Sequence, residues 1–130
     1  MDELFNALTD LHFNSSTWIY YKFSFYYISS DYKSWSDSRR DCKEKGADLL
    51  IINNEEEEVF LRRRTGYNIW IGLTKEQGVW KWVDGTTLTS GYWKGGYPQN
   101  FYCALMTASG WINDLCSDAK YRWICERRIA

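Results

Sequence analysis

From Trp18 to Ile28 the chain reads WIYYKFSFYYI, a nearly unbroken run of aromatic and β-branched residues that predicts one or two strands. The pattern then changes. Ser34 with Asp37 three residues on makes a capping box, and Gly46 is placed to end the helix it opens, with Cys42 inside. Leu49 to Ile52 is a short apolar run. Asn54 is a good N-cap for a second helix, with Glu55, Glu56, Glu57 and Glu58 in its first turn and Arg62, Arg63 and Arg64 in its last. Acids first and bases last complement the helix dipole. Both charge runs are expected to form a solvated helix face.

After Gly66 the spacing turns strand-like. Asn68 to Leu73 predicts a strand and Lys75 to Gly78 a turn. Val79 to Val83 sets Trp80 and Trp82 on one face and Lys81 on the other, as in a half-buried strand. Trp70 and Trp82 are expected in the core. From Asp84 to Asn100 the period is lost among Gly and Thr, which predicts a long loop region. Phe101 to Thr107 and Tyr121 to Glu126 read as the last strands, joined by a polar turn around Asn113 and Asp114. Ahead of all this, Leu4, Leu8 and Leu11 share one face of a short helix, either a frayed terminus or the end of a coiled-coil neck. One and a half turns establish no heptad repeat. The order is an α+β layout, with residues 1–15 as an N-terminal segment and 16–130 as the domain.

The 130 residues suffice for one domain with a core, and a content of 45% hydrophobic and 18% aromatic residues excludes disorder. A formal net charge of -1 gives no reason to expect nucleic acid or an anionic membrane. No apolar run is long enough to span a bilayer, and the N-terminus lacks a signal-peptide pattern. The expectation is that a targeting segment was lost or that the chain was cut from a longer protein. The four cysteines, Cys42, Cys103, Cys116 and Cys125, form no CxxC pair, which argues against a zinc ribbon. Their even number, beside the sequon Asn14-Ser15-Ser16, favours an oxidising compartment and makes Asn14 a candidate glycosylation site. Four cysteines permit three pairings, and spacing alone does not choose among them. The one histidine, His12, lies outside the predicted domain. The chain shows neither an HExxH motif nor a Gly-rich phosphate loop, so nothing asks for an enzyme.

The stretch from Trp18 to Glu126 resembles the C-type lectin-like domain family. Its tags are Trp70-Ile71-Gly72-Leu73, Trp80-Lys81-Trp82-Val83-Asp84-Gly85, Gly91-Tyr92-Trp93, the lone Pro98 and Trp123-Ile124-Cys125-Glu126. The texture looks most like lectin-like immune receptors of fish. The resemblance implies two helices, two small antiparallel sheets and a long loop region. It also implies two bridges, Cys42–Cys125 and Cys103–Cys116, worth roughly 4–5 and about 3 kcal/mol in the chain-entropy model. Ser16, Thr17 and Phe25 stand where longer members carry an extra cysteine, so this looks like the short form.

Sugar-binding members hold calcium in the long loop, through a Glu-Pro-Asn or Gln-Pro-Asp triplet, a Glu before a core cysteine, and a Trp-Asn-Asp triplet. Here those places read Tyr97-Pro98-Gln99, Phe101-Tyr102 before Cys103, and Trp111-Ile112-Asn113-Asp114. If Trp111 and Cys116 fix the register, Asn113 takes the Asp position; if it slips by one, Asn113 and Asp114 keep both ligands. Calcium wants six to eight oxygens, several from carboxylates, so Asn113 and Asp114 are at most a weak remnant. No cofactor is expected.

What the resemblance implies is therefore a non-catalytic extracellular recognition module, calcium-independent and receptor-type, binding a protein or a glycan through the long-loop face. It would be secreted or the ectodomain of a type II membrane protein, with a homo-oligomer formed through the N-terminal neck as a further expectation. The candidate ligand-binding residues are Tyr92, Tyr97, Gln99, Asn100, Phe101, Tyr102, Asn113 and Asp114. The alternatives are a calcium-dependent carbohydrate-binding lectin with a degenerate site, and a secreted ice-binding or toxin-like use of the fold.

Overall fold

A computed structural model describes residues 18–66, 68–96 and 98–129. Leu4, Leu8, Leu11, His12, Asn14 and Tyr97 therefore lie outside the described residues, as does most of the boundary expected between 1–15 and 16–130.

The aromatic run folds as a hairpin of β1 (Trp18–Tyr21) and β2 (Ser24–Ile28). Tyr21 pairs with Ser24, so the turn has two residues, Lys22 and Phe23, both at positive φ (45° and 67°). That backbone follows the twist of the two strands. Helix α1 (Trp35–Glu44) starts at Ser34, whose hydroxyl accepts from the Asp37 N–H at 3.2 Å. Gly46 follows it at φ 75°. A short β3 (Asp48–Leu49) leads to α2 (Glu55–Thr65), capped by the Asn54 side chain, which accepts from the Glu57 N–H at 2.8 Å.

Strand β4 (Ile69–Glu76) runs further than the sequence suggests. Its turn to β5 (Val79–Trp82) contains only Gln77 and Gly78, again both at positive φ. Next come β6 (Cys103–Thr107), β7 (Gly110–Asp114) and β8 (Arg122–Arg128). The β6–β7 turn lies at Ala108 and Ser109, so Asn113 and Asp114 are strand residues and not the polar turn expected. Asn113 pairs with Ala104 in an unbroken ladder, and its amide finds partners across the loop instead of within a turn.

The strands are ordered β1-β2-β8-β4-β6-β7, with β3 on β8 and β5 on β4. The two antiparallel sheets expected are present. A short parallel pairing of β4 with β8, Ile69 opposite Arg122 and Trp70 opposite Trp123, joins them into one mixed sheet.

Both faces of the central strands are buried, which explains their nearly continuous apolar sequences. Ile69, Ile71 and Leu73 pack with Leu61, Trp82, Met106 and Trp111 on one side. Trp70, Leu105 and Trp123 pack with Trp35 on the other. The bridges are Cys42–Cys125, tying α1 to β8, and Cys103–Cys116, tying the start of β6 to the segment after β7. Trp70 is fully buried, and its indole N–H donates to the Lys33 carbonyl at 2.9 Å.

The expected solvated face of α2 holds only in part. Glu57 and Glu58 are buried, because the helix turns them inward with Leu61 and Thr65. Glu57 is met there by the Tyr26 hydroxyl at 2.6 Å and the Asn53 N–H at 2.9 Å, and Glu58 by Arg62 at 3.3 Å.

Candidate functional site

The long-loop face is assembled from the ends of β4, β5, β6 and β7 and the chain that precedes β6. Alternation along β7 puts Trp111 and Asn113 on the buried side and leaves Ile112 and Asp114 partly exposed on the other. The Asn113 carbonyl oxygen accepts from the Phe101 N–H at 2.9 Å, and its amide donates to the Pro98 carbonyl at 3.0 Å. One buried side chain thus spans the loop between Pro98 and Phe101.

A second clamp comes from the β4–β5 hairpin. The Lys75 ammonium donates to the Gln99 main-chain oxygen at 2.7 Å, and the Lys75 N–H donates to the Tyr102 carbonyl at 2.8 Å. Opposite Lys75 in the hairpin stands Trp80, whose indole N–H donates to the Gln99 side-chain oxygen at 2.9 Å. The ammonium also lies 5.6 Å from the Trp80 ring centre and 5.3 Å from that of Tyr102, where a cation is attracted to the ring face. Neither Lys75 nor Trp80 was a candidate in the sequence. The cross-strand pair that brings both to the loop appears only once the hairpin register is known.

The candidate residues divide into groups. Gln99, Asn100, Phe101 and Tyr102 are consecutive and exposed, with Tyr102 60% and Phe101 39% accessible. Asn113 lies beneath them as a buried brace. Asp114 points elsewhere: it accepts from the Leu115 N–H at 2.7 Å and from the Tyr121 hydroxyl. Tyr92 is half-buried, with its ring edge-on to Trp111 at 5.4 Å and its carbonyl bonded to the Trp111 N–H at 2.8 Å. Burial, reinforced by Glu55 and Glu58, pushes its phenol above the ordinary tyrosine range. Tyr92 therefore has the α2 side as its surroundings, whereas Tyr102 has Lys75.

This donor set does not fit a calcium ion. Among the described residues no three Asp, Glu, His or Cys side chains come together in a metal-binding group. The oxygens that the loop presents at Pro98, Gln99 and Asn113 already accept from N–H groups, and an ammonium stands beside them. Among the described residues no group of carboxylates stands in for the several that calcium wants.

The two-bridge α+β frame thus carries a long loop braced onto a tryptophan-rich hairpin. The Lectin C-type domain model matches residues 31–127, and the chain belongs to that family. It is 37% identical to asialoglycoprotein receptor 1 of Mus musculus over 125 residues, covering 86% of this chain and 44% of the receptor. The chain thus spans less than half the length of that relative. Among solved structures, the mouse scavenger receptor C-type lectin carbohydrate-recognition domain superposes with a TM-score of 0.80 at 31% identity, over 88% of this chain and 96% of that one. The trimeric Kupffer cell C-type lectin receptor Clec4f gives 0.84 at 30% identity, over 98% and 93%. The particular likeness to fish receptors gains nothing from these relatives.

Proposed function

We propose that this chain is a non-catalytic, extracellular recognition module that binds a protein or glycan ligand through its long-loop face without calcium. The observation that carries this reading is the internal satisfaction of the loop. Gln99 and Asn113 face Lys75, Trp80 and main-chain groups, while the rings of Phe101 and Tyr102 remain open to solvent. A loop fixed by side chains of the neighbouring strands needs no ion to hold its shape. Exposed aromatic rings on a stiff loop supply contact area with few rotors to freeze.

Several features fit the reading around this site. The two bridges suit an oxidising compartment. Among the described residues no helix is long and apolar enough to cross a membrane. A secreted form and a type II membrane ectodomain remain the two settings proposed, with an oligomer through the segment before residue 18. Trimeric assembly is a property of the Clec4f structure by its title, and here it is part of the proposal.

The test is a screen of glycan and ectodomain arrays with the full chain, run in calcium and in chelator. Binding that survives chelation and falls on Tyr102→Ala supports the reading. Binding that requires calcium overturns it in favour of a conventional calcium-dependent lectin.

A further inference from the structure

Helix α1 carries its charges in two stripes. Ser36, Arg39, Arg40 and Lys43 follow i, i+3, i+4, i+7 spacing and share one face, while Asp37, Asp41 and Glu44 share the next. The basic stripe borders an open groove of about 350 Å³. Through Ser36 and Arg39 this groove continues into a second, of about 330 Å³, between α1, the β4–β5 hairpin and the Cys103–Cys116 bridge. Lys75, Lys81 and Tyr102 join the lining there, and Glu76 is the one acid among the described residues that line the two grooves.

The trough is thus bordered by Arg39, Arg40, Lys43, Lys75 and Lys81, on a chain whose net charge is -1. Asp48 reaches Arg39 at 3.1 Å and Lys43 at 3.5 Å, and Asp37 reaches Arg40 at 3.1 Å. The Arg40 and Lys43 side chains are 70% and 57% exposed, and pairs so open to water are weak and screened. Those pairs orient Arg40 and Lys43 without neutralising them toward a polyanion. Arg39 instead is held by two bonds to the Asp48 carboxylate and one to the Val83 carbonyl, so Arg40 and Lys43 are the open cations of α1. Lys81 makes no ion pair with a described residue.

We infer that this trough binds a sulfated linear glycan. Cations on successive turns of α1 suit a chain that bears anionic groups at intervals. Guanidinium groups hold sulfate oxygens through two N–H donors at once, as they hold phosphate. At the far end the exposed Tyr102 ring offers an apolar face against which a sugar ring stacks. The groove form favours an extended polymer over a broad acidic protein surface. The basic stripe lies on α1, so the inference does not depend on the long-loop reading; Lys75, which clamps the loop, and Tyr102 are the residues common to both.

The experiment measures binding of the full chain to an immobilised heparin octasaccharide, to its desulfated counterpart and to polyglutamate. The octasaccharide is expected to bind, weakening steeply with added salt, while the other two do not. Arg40→Glu/Lys43→Glu should weaken binding by roughly tenfold or more, and Lys81→Glu should weaken it too, since like charge is set against the sulfates. The control, Arg63→Glu/Arg64→Glu on α2, changes net charge equally and should leave binding within about twofold. All these side chains are at least partly exposed, and unchanged melting temperatures establish that each variant is folded. Equal losses in both double variants, equal binding of polyglutamate, or no binding of the octasaccharide would overturn the inference. Octasaccharide binding that persists without calcium and falls on Tyr102→Ala but ignores the α1 variants would sink this proposal and leave the long-loop reading standing.

Discussion

The Lys75 ammonium lies 2.7 Å from the main-chain oxygen of Gln99, so a cation from a β-hairpin pins the loop that precedes β6. Lys75 is partly exposed and also lies beside the Trp80 and Tyr102 rings, while the bond itself is open to water. A hydrogen bond from a charged donor is worth about 1.5–3 kcal/mol, and exposure reduces that. Lys75→Met should lower stability by about 1–2 kcal/mol. Amide exchange should accelerate at residues 99–102 while the β4, β6 and β8 amides keep their protection. Unchanged exchange in the loop would show that the clamp is not what orders it.

Calcium should leave the melting temperature nearly unchanged. A ligand that binds only the native state stabilises it by RT ln(1 + [L]/Kd). With affinity no better than millimolar, calcium near its extracellular level adds about half a kcal/mol or less. Thermal melts in chelator and in millimolar calcium check this. A rise of many degrees that disappears with Asp114→Ala would show that the loop does bind the ion.

Gly72 has a steric reason to be glycine. A methyl group there would stand 2.8 Å from the Leu50 carbonyl oxygen and 2.9 Å from that of Leu49, both main-chain atoms. Its own N–H and C=O are bonded to Leu50 and Val83, so the strand has no room to retreat. Gly72→Ala should destabilise by about 1–3 kcal/mol, the usual range for overpacking. Denaturant unfolding measures it, and a variant as stable as the parent would contradict the packing described.

Acidification should favour the native state through Glu126. This carboxyl is buried, and burial, with Glu57 facing it, raises its pKa; Arg128, the Ile51 N–H and Ser24 oppose the rise. Because the folded value lies above the unfolded one, its contribution is fullest below the ordinary carboxylate range. It is lost as pH climbs through the folded pKa. Glu56, exposed and paired with Lys22, runs the other way, its pKa held down. The clean quantity is therefore the stability difference between the parent and Glu126→Gln, measured from pH 4 to pH 7.5. That difference should move against the parent as pH rises, and the opposite slope would reject the assignment.

The parts of this fold that were legible in the sequence are those set by local chemistry or by a fixed period. Ser34 and Asn54 cap their helices through hydrogen bonds to residues three positions on, and Trp80 and Trp82 alternate as a half-buried strand must. Burial of Glu57 and Glu58 was not legible. A run of four glutamates looks solvated until Tyr26, from a strand 31 residues earlier, places a hydroxyl against one of them. The loop was opaque for a related reason. Its order comes from Lys75, Trp80 and Asn113, each fixed by a strand pairing, and the loop's own residues carry no period that reveals this. Asn113 and Asp114 looked like turn formers because their preference for turns is strong. The ladder with β6 overrode it.

The exposed rings of the long loop are expected to carry ligand binding. Tyr102 is the stronger candidate within the described residues, since it is more open than Phe101 and Lys75 holds its carbonyl and its ring in place. Large rings at protein-binding sites often contribute more than 1 kcal/mol each when they sit near the centre of the contact. Tyr92 is the contrasting case, because its edge-on contact with Trp111 makes it part of the scaffold. Tyr102→Ala should therefore weaken binding of an array-identified ligand by about 1 kcal/mol or more with little change in melting temperature. Tyr92→Ala should lower the melting temperature whatever it does to binding. Tyr97→Ala, proposed from the sequence alone, belongs in the same series. If Tyr102→Ala and Tyr97→Ala both bind normally while charge reversal at Arg62, Arg63 and Arg64 abolishes binding, the working face is α2 and the long-loop assignment fails.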